Sequence, residues 1–540
     1  MKKQSTSKGF AILSSAAIAG KFLSIIYVPF LLKIIGGNRP YAIYSVAYQI
    51  YAYIYILTNA GIPSAISKII SEFVAVENYR SAKKTFKISR FLLFILGIVM
   101  AFTMYCISGP LTIHMNYGEA KYSVIALCPA ILFTSVSSAY RGYFQGIRNM
   151  KPTAISQVLE QILNTVFTLL FAAIFIRYGV EVGCVGATMG TTIGSLASAL
   201  YLIVIYKKNK ESKVVNLDND KNNVRHTNKQ IARKILKYSI PITLSVAILS
   251  AGTLIDSYNI TSRLIAGGNL KNHAQNIYGM YTKYIMLINM PITIISALAV
   301  AVLPAISTAV ALKDKQLVTN KINFAFRISL LIVIPAAVGF SLLGKPIYEL
   351  LHFGDGYKIM MFGSVIVVFS ALVQIQTSIL QGIGKLYAVI CFSILGLIIK
   401  YIVNYILVAI PSVSIYGAII SSVIGFGVPI VLNTVYILKT LRIKINLKAY
   451  IFKPLVSSIF MAVVVYVGYN ILSYILSFIF KGYFNNAISV LIAIALGMLA
   501  YFYAMVLNKG ITNTELDTIL SKIKRVLPNK KMIHLSTTIK

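Results

Sequence analysis

The chain has 540 residues, 57% of them apolar and only 12% charged, with a mean hydropathy of +0.78. A water-soluble globular protein is excluded, because its surface would present far too much hydrocarbon to water; the composition is that of a polytopic membrane protein. The net charge of +37, from 51 Lys and Arg against 14 Asp and Glu, resembles that of a nucleic-acid binder only until its location along the chain is considered.

A bilayer core takes about 20 apolar residues per helix. Fourteen spans are expected, near 10–34, 41–70, 89–113, 121–146, 153–177, 183–206, 238–265, 278–306, 326–348, 359–383, 386–409, 415–438, 450–475 and 485–507. At the start, Ala17-Ile18-Ala19 after Lys2-Lys3 superficially suits a signal-peptide cleavage site, but the apolar run continues to Leu32 and further spans follow. The segment therefore reads as a first transmembrane helix. After the second span come Arg80, Lys83, Lys84, Lys87 and Arg90, whereas loops 114–120 and 178–182 carry almost no cations. A basic segment, 207–237, follows the sixth span, and its stretch from Val214 to Gln230 is rich in Asn, Asp and Lys without apolar period. Beyond the twelfth span lie Lys439, Arg442, Lys444, Lys448 and Lys453. Cations thus occupy alternate loops, which is the positive-inside pattern and puts both termini and the linker in the cytosol. The charge reports topology and contact with anionic lipid headgroups, not nucleic acid.

Cys106, Cys128, Cys184 and Cys391 lie inside apolar spans without a C-x-x-C pair, so they read as small core hydrophobes. No metal site and no cofactor is expected. The domain reading is an N-terminal six-helix lobe at 1–206, the linker at 207–237, a second six-helix lobe at 238–438, two further spans at 439–507 and a basic tail at 508–540.

The two lobes are related in sequence. Gly186-Ala187-Thr188-Met189-Gly190-Thr191-Thr192-Ile193-Gly194 is echoed by Gly417-Ala418-Ile419-Ile420-Ser421-Ser422-Val423-Ile424-Gly425, sharing G-A-x5-I-G. Pro63-Ser64-Ala65-Ile66-Ser67 is echoed at Pro304, and Gln145-Gly146-Ile147 at Gln381. The separations are 241, 236 and 231 residues, a steady drift that fits two duplicated halves with unequal loops. Halves with an even number of spans enter from the same side and pack as parallel repeats, an arrangement familiar in carriers. Glycine every fourth residue presents a small-residue stripe that lets backbones approach in lipid, and tight packing within each lobe is its expected use.

Ionisable residues at membrane depth cost about 2.5–3.5 kcal/mol on insertion scales and face a cavity or a partner. The candidates are Lys21, Arg141, Glu160, Asp256, Arg263, Lys283 and Lys400, five cations and two acids. A cleft with that excess favours an anionic headgroup, and Arg suits phosphate oxygens. Lys21, near the middle of the first span, is the leading candidate for cargo contact. Arg141 and Lys283 are divided between cargo and headgroup anchoring. Asp256 and Arg263 share a face about 10 Å apart and should have separate partners. Glu160 and Asn164, four residues apart, suit either a structural hydrogen bond or proton coupling.

The segment Ala60-Gly61-Ile62-Pro63-Ser64-Ala65-Ile66-Ser67-Lys68-Ile69-Ile70-Ser71-Glu72, the stretch from Arg141-Gly142-Tyr143-Phe144-Gln145-Gly146 through Met150-Lys151-Pro152 to Glu160-Gln161, and Gln381-Gly382-Ile383-Gly384-Lys385 carry a resemblance. The chain resembles the polysaccharide-export branch of the multidrug/oligosaccharidyl-lipid/polysaccharide superfamily, and within it the bacterial lipid II flippase and stage V sporulation protein B group. The resemblance covers nearly the whole chain and implies an all-α fold of fourteen helices, two six-helix lobes in a V, and a C-terminal pair that helps form a groove for a lipid tail. It also implies a first-helix cation in the central cavity, matched by Lys21, and an eighth-helix cation near Lys283. The arginine that some relatives carry at the end of the second helix has no counterpart in 54–59, which leaves the choice among polyprenyl-linked sugars open. Some relatives bind sodium through a seventh-helix Asp and polar residues of the eleventh helix. Asp256 and Asn404 match those positions, but Lys400 lies one turn from Asn404, and its ammonium is expected to pair with Asp256 in place of a metal ion.

The expected function is that of a flippase in the bacterial plasma membrane. It would move an undecaprenyl-pyrophosphate-linked saccharide, with lipid II the first candidate, from inner to outer leaflet by alternating access. Lys21, Arg141, Arg263 and Lys283 would hold the cargo; Asp256, Asn404, Lys400 and Glu160 form a candidate coupling or cation site. Cell-wall synthesis enzymes are candidate partners. A drug/cation antiporter of the same superfamily is the nearest rival, though it should favour acidic residues in its cleft. A membrane glycosyltransferase is the other, but there is no Walker A loop, no H-E-x-x-H and no convincing carboxylate pair in an outer loop.

Overall fold

The computed structural model describes residues 6–208, 226–443 and 447–510. Residues 209–225 of the expected linker and 511–540 of the expected tail lie outside the described residues. Every regular element among the described residues is helical. The first lobe comprises α1 (Thr6–Ile35), α2 (Asn38–Asn59), α3 (Ile62–Ala75), α4 (Tyr79–His114), α5 (Lys121–Gly146), α6 (Lys151–Phe175) and α7 (Val180–Lys208). The second begins with α8 (Asn228–Ala266), α9 (Lys271–Ala311), α10 (Lys315–Leu342) and the short α11 (Gly344–Leu350). It continues with α12 (Tyr357–Gly363), α13 (Ile366–Gly382), α14 (Leu386–Leu407) and α15 (Tyr416–Leu441). The pair α16 (Leu447–Ser477) and α17 (Tyr483–Leu507) packs together and against α10 and α11.

Among the described residues twelve helices are long and apolar enough to cross a membrane, up to thirteen when α12 and α13, bent by 47°, are taken as one broken span. The remaining expected span is α2, whose tyrosines lower its hydropathy and whose faces are covered by α5, α8 and α9. A helix packed in protein on several sides can carry polar rings that a lipid-facing helix cannot. The stretch 41–70, expected as one span, is broken at Ala60-Gly61, and α3 starts with Pro63 in its first turn, where the missing N–H is harmless.

The repeated glycines do pack each lobe internally. A Cβ on Gly194 would lie 2.5 Å from the carbonyl oxygen of Glu160 on α6, and one on Gly425 would lie 2.6 Å from Cβ of Lys400 on α14. Both are too close for any side chain, so α7 seats on α6 and α15 on α14 by the same device. The second lobe opens with α8, which straddles the two. Ile231 and Ile235 near its start join Ile66, Phe86 and Tyr143 of the first lobe, while its later turns lie on α14. The face on which α4 and α8 begin and α7 and α15 end carries the loop cations and is called the basic face below.

Candidate functional site

Midway through the bundle α1, α2 and α6 of the first lobe face α9 of the second across a cavity of about 180 Å³. The five tyrosines Tyr41, Tyr44, Tyr48, Tyr51 and Tyr55 recur at three- and four-residue spacing along α2 with successive ring centroids 5.7–6.1 Å apart, the first three stacked and the later pairs tilted. Three of them, Tyr41, Tyr44 and Tyr48, line the cavity with Tyr27, Ser45 and Gln49; Thr282, Met286 and Asn289 line the α9 side. Lys21 is the one cation among its lining residues, and no carboxylate is among them. Lys21 makes no ion pair among the described residues. The same lysine borders a second cavity of about 230 Å³, walled by Ile18 and Phe22 of α1, Met290, Pro291 and Ile294 of α9, and Ile332 and Ala336 of α10. Lys21 therefore stands where a hydroxyl- and amide-lined chamber meets an apolar one.

The other expected cargo residues lie elsewhere. Arg141 is buried between α5, α6 and α7, where it donates to Glu160 Oε2 at 2.6 Å, Ser198 Oγ at 2.9 Å and Ser156 Oγ at 3.1 Å. Asn164, one turn from Glu160, accepts from Thr168 and Thr191, both at 3.1 Å. Arg263 stacks on the Tyr405 ring at 3.8 Å and donates to its carbonyl, away from the cavity. Lys283 is fully buried, and its ammonium donates to Asn38 Oδ1 at 2.6 Å, to the carbonyl of Asp355 at 3.1 Å and to that of Phe353. Asp256 and Arg263 have separate partners, since Asp256 Oδ2 meets Lys400 Nζ at 2.7 Å. Helical spacing alone could not exclude these cations from the cavity, because their direction depends on which neighbour each helix face meets. The α2 tyrosines were missed, although their spacing on one face was legible in the sequence.

On the face opposite the basic one, the lobes are bolted together beyond the cavity. Glu119 of the first lobe takes Lys271 of the second at 2.9 Å and Arg39 at 3.6 Å. Arg39 also donates to Gln275, which in turn donates to the carbonyl of Asn116, each at 2.9 Å. Tyr117 meets Thr261 at 2.8 Å, and Asn116 meets Ser262 at 2.9 Å. Lys283 with Asn38 belongs to this layer. Reversing the charge at Glu119 brings three cations together, so Glu119→Lys is expected to part the lobes there. With Cys106 and Cys391 replaced by serine, Met286→Cys just below the latch should then react faster with an impermeant maleimide applied from that face. An unchanged rate would show that the latch does not hold the lobes.

Two helical lobes around a central polar cavity, with an added C-terminal pair, are the architecture of this chain, and its sequence places it in the polysaccharide branch of the multidrug/oligosaccharidyl-lipid/polysaccharide superfamily. Residues 6–310 match the family described as polysaccharide biosynthesis protein, and the chain belongs to that family. It is 24% identical over 520 residues to the lipid II flippase MurJ of Bacillus subtilis, covering 92% of this chain and 94% of that protein. It is 27% identical over 466 residues to stage V sporulation protein B of the same organism, covering 83% and 87%. Among solved structures, lipid II flippase MurJ in an inward closed conformation aligns with a TM-score of 0.67 at 15% identity, over 92% of this chain and 99% of that one. An inward-facing multidrug resistance MATE family transporter aligns with a TM-score of 0.64 at 19% identity, over 79% and 95%. These two likenesses are of fold.

Proposed function

We propose that the protein is a flippase for a polyprenyl-pyrophosphate-linked saccharide in the bacterial plasma membrane. The observation that carries this reading is the position of Lys21 at the junction of a carboxylate-free polar cavity and an apolar one. A pyrophosphate offers the ammonium a doubly anionic partner. Tyrosine, serine and amide groups suit sugar hydroxyls, and the chamber between α1, α9 and α10 suits the first isoprene units. The basic face is read as cytosolic, with both termini there and its cations against anionic headgroups. Alternating access then requires the Glu119 latch to open while the basic side closes, with lobes 1–206 and 238–438 as the moving bodies. No covalent step is needed.

A carrier of cationic drugs would be expected to present a carboxylate to its cargo, and none is among the lining residues of the central cavity. The named similarity to a lipid II flippase makes lipid II the first cargo to try. The test replaces an essential lipid II flippase with this chain and measures lipid II in the outer leaflet. Rescue supports lipid II as cargo. No rescue, combined with binding of another polyprenyl-pyrophosphate saccharide by the purified protein, moves the assignment to that saccharide. Absence of binding to any of them, with efflux of a cationic dye, overturns the reading in favour of the antiporter.

A further inference from the structure

Deep in the second lobe, away from the central cavity, Asp256 of α8 is 3% exposed and is held from three sides. Lys400 Nζ donates to its Oδ2 at 2.7 Å, Tyr281 OH donates to the same oxygen at 2.9 Å, and Asn404 Nδ2 donates to Oδ1 at 3.1 Å. The ammonium also donates to the carbonyl of Gly252 at 3.0 Å. Nearby, Asn404 Oδ1 is buried with no hydrogen-bond partner among the described residues. A carboxylate, a main-chain carbonyl and an amide oxygen are the donor set that a hard cation takes, and in this chain a tethered ammonium stands among them.

The residues do not fit the sodium ion implied by the resemblance. A second cation beside Asp256 would sit within a few ångströms of Lys400 in a medium of low dielectric, where like charges repel strongly. The duplication sharpens the point. With Gln145 and Gln381 in register, Asn164 falls opposite Lys400 and Glu160 opposite Gly396. The packing agrees, since Gly194 faces Glu160 and Asn164 while Gly425 faces Gly396 and Lys400. The first lobe therefore has a neutral amide where the second has an ammonium. Gly425 gives the lysine stem its room, because a Cβ there would meet Lys400 Cβ at 2.6 Å.

We propose that the Lys400 ammonium is the resident cation of the Asp256 pocket, so that the protein holds this site without sodium. The proposal does not rest on the cargo, and its readout is ion binding, not transport. The test is thermal unfolding of the full-length purified protein in sodium chloride and in choline chloride at matched ionic strength. The unsubstituted protein is expected to unfold at the same temperature in both. Lys400→Ala, which leaves the oxygen donors without their cation, is expected to be stabilised by sodium alone, saturably, and Lys400→Ala with Asp256→Asn is expected to lose that response. Saturable sodium stabilisation of the unsubstituted protein would overturn the proposal. So would a folded Lys400→Ala that ignores sodium, since the pair would then be only a structural tie. If Lys400→Ala is not recovered folded, the unsubstituted protein decides alone: a sodium-specific shift refutes the proposal and its absence upholds it.

Discussion

Lys21→Ala is expected to reduce flipping to background while the protein still folds and inserts. The lysine is exposed within the bundle and makes no ion pair among the described residues, so its removal leaves no orphaned carboxylate and breaks no packing. What it removes is the one positive charge in the lining of the central cavity. A hydrogen bond to a charged group contributes about 1.5–3 kcal/mol, and each 1.4 kcal/mol is about tenfold in binding. Cargo affinity should therefore fall by roughly ten- to a hundredfold. Loss of transport should exceed that, because the headgroup would lack the contact that positions it between the lobes. Lys21→Arg keeps the charge and should keep most of the activity. The measurement is movement of a labelled polyprenyl-pyrophosphate saccharide in proteoliposomes, with melting temperature as the folding control. Full activity of Lys21→Ala would remove this residue from the site.

Arg141→Met is expected to do the opposite, lowering stability first and activity only in consequence. The guanidinium ties α5 to α6 and α7 through Glu160, Ser156 and Ser198. Removing one member of a buried ion pair costs about 3–5 kcal/mol, because the other is left uncompensated. Glu160 is only partly buried, with 23% of its side chain exposed, so the lower end of that range, about 3 kcal/mol, is expected. Glu160→Gln leaves the more deeply buried Arg141 guanidinium without its carboxylate and should cost at least as much, and the double variant should recover part of the loss, since it contains no unpaired charge. Unfolding of the three variants checks this. An Arg141→Met protein that is fully stable yet inactive would instead return Arg141 to the cargo site.

These two cations illustrate how far the sequence can be read. Both were legible as costly charges at membrane depth, and nothing in their spacing separated them. Arg141 points at Glu160 only because α5 and α6 both pack on α7, which seats on α6 through its glycine stripe, an arrangement of helices that no local pattern encodes. Lys283 likewise looked like a cavity residue, yet the loop after α11 closes over it. The Lys400–Asp256 pair was anticipated because Asp256, Arg263 and Lys400 are the only charged residues in the two spans, 238–265 and 386–409, that the resemblance placed together. The outer latch was not, since Arg39, Glu119, Lys271 and Gln275 sit in short connections or first turns whose partners are set by the meeting of the lobes.

By itself the sequence determined that the chain is a helical membrane protein of about fourteen spans, with its cations gathered in alternate loops and a cation-rich interior. Each of these is a property of a single helix or loop facing lipid or water, and the cost of polar groups in hydrocarbon writes it into composition and period. The tertiary structure decided which of the interior cations is free. A buried ammonium or guanidinium takes the nearest oxygen it can reach, and that distance exists only once the helices are packed, leaving Lys21 without an ion pair among the described residues while Arg141, Lys283 and Lys400 are held within the protein.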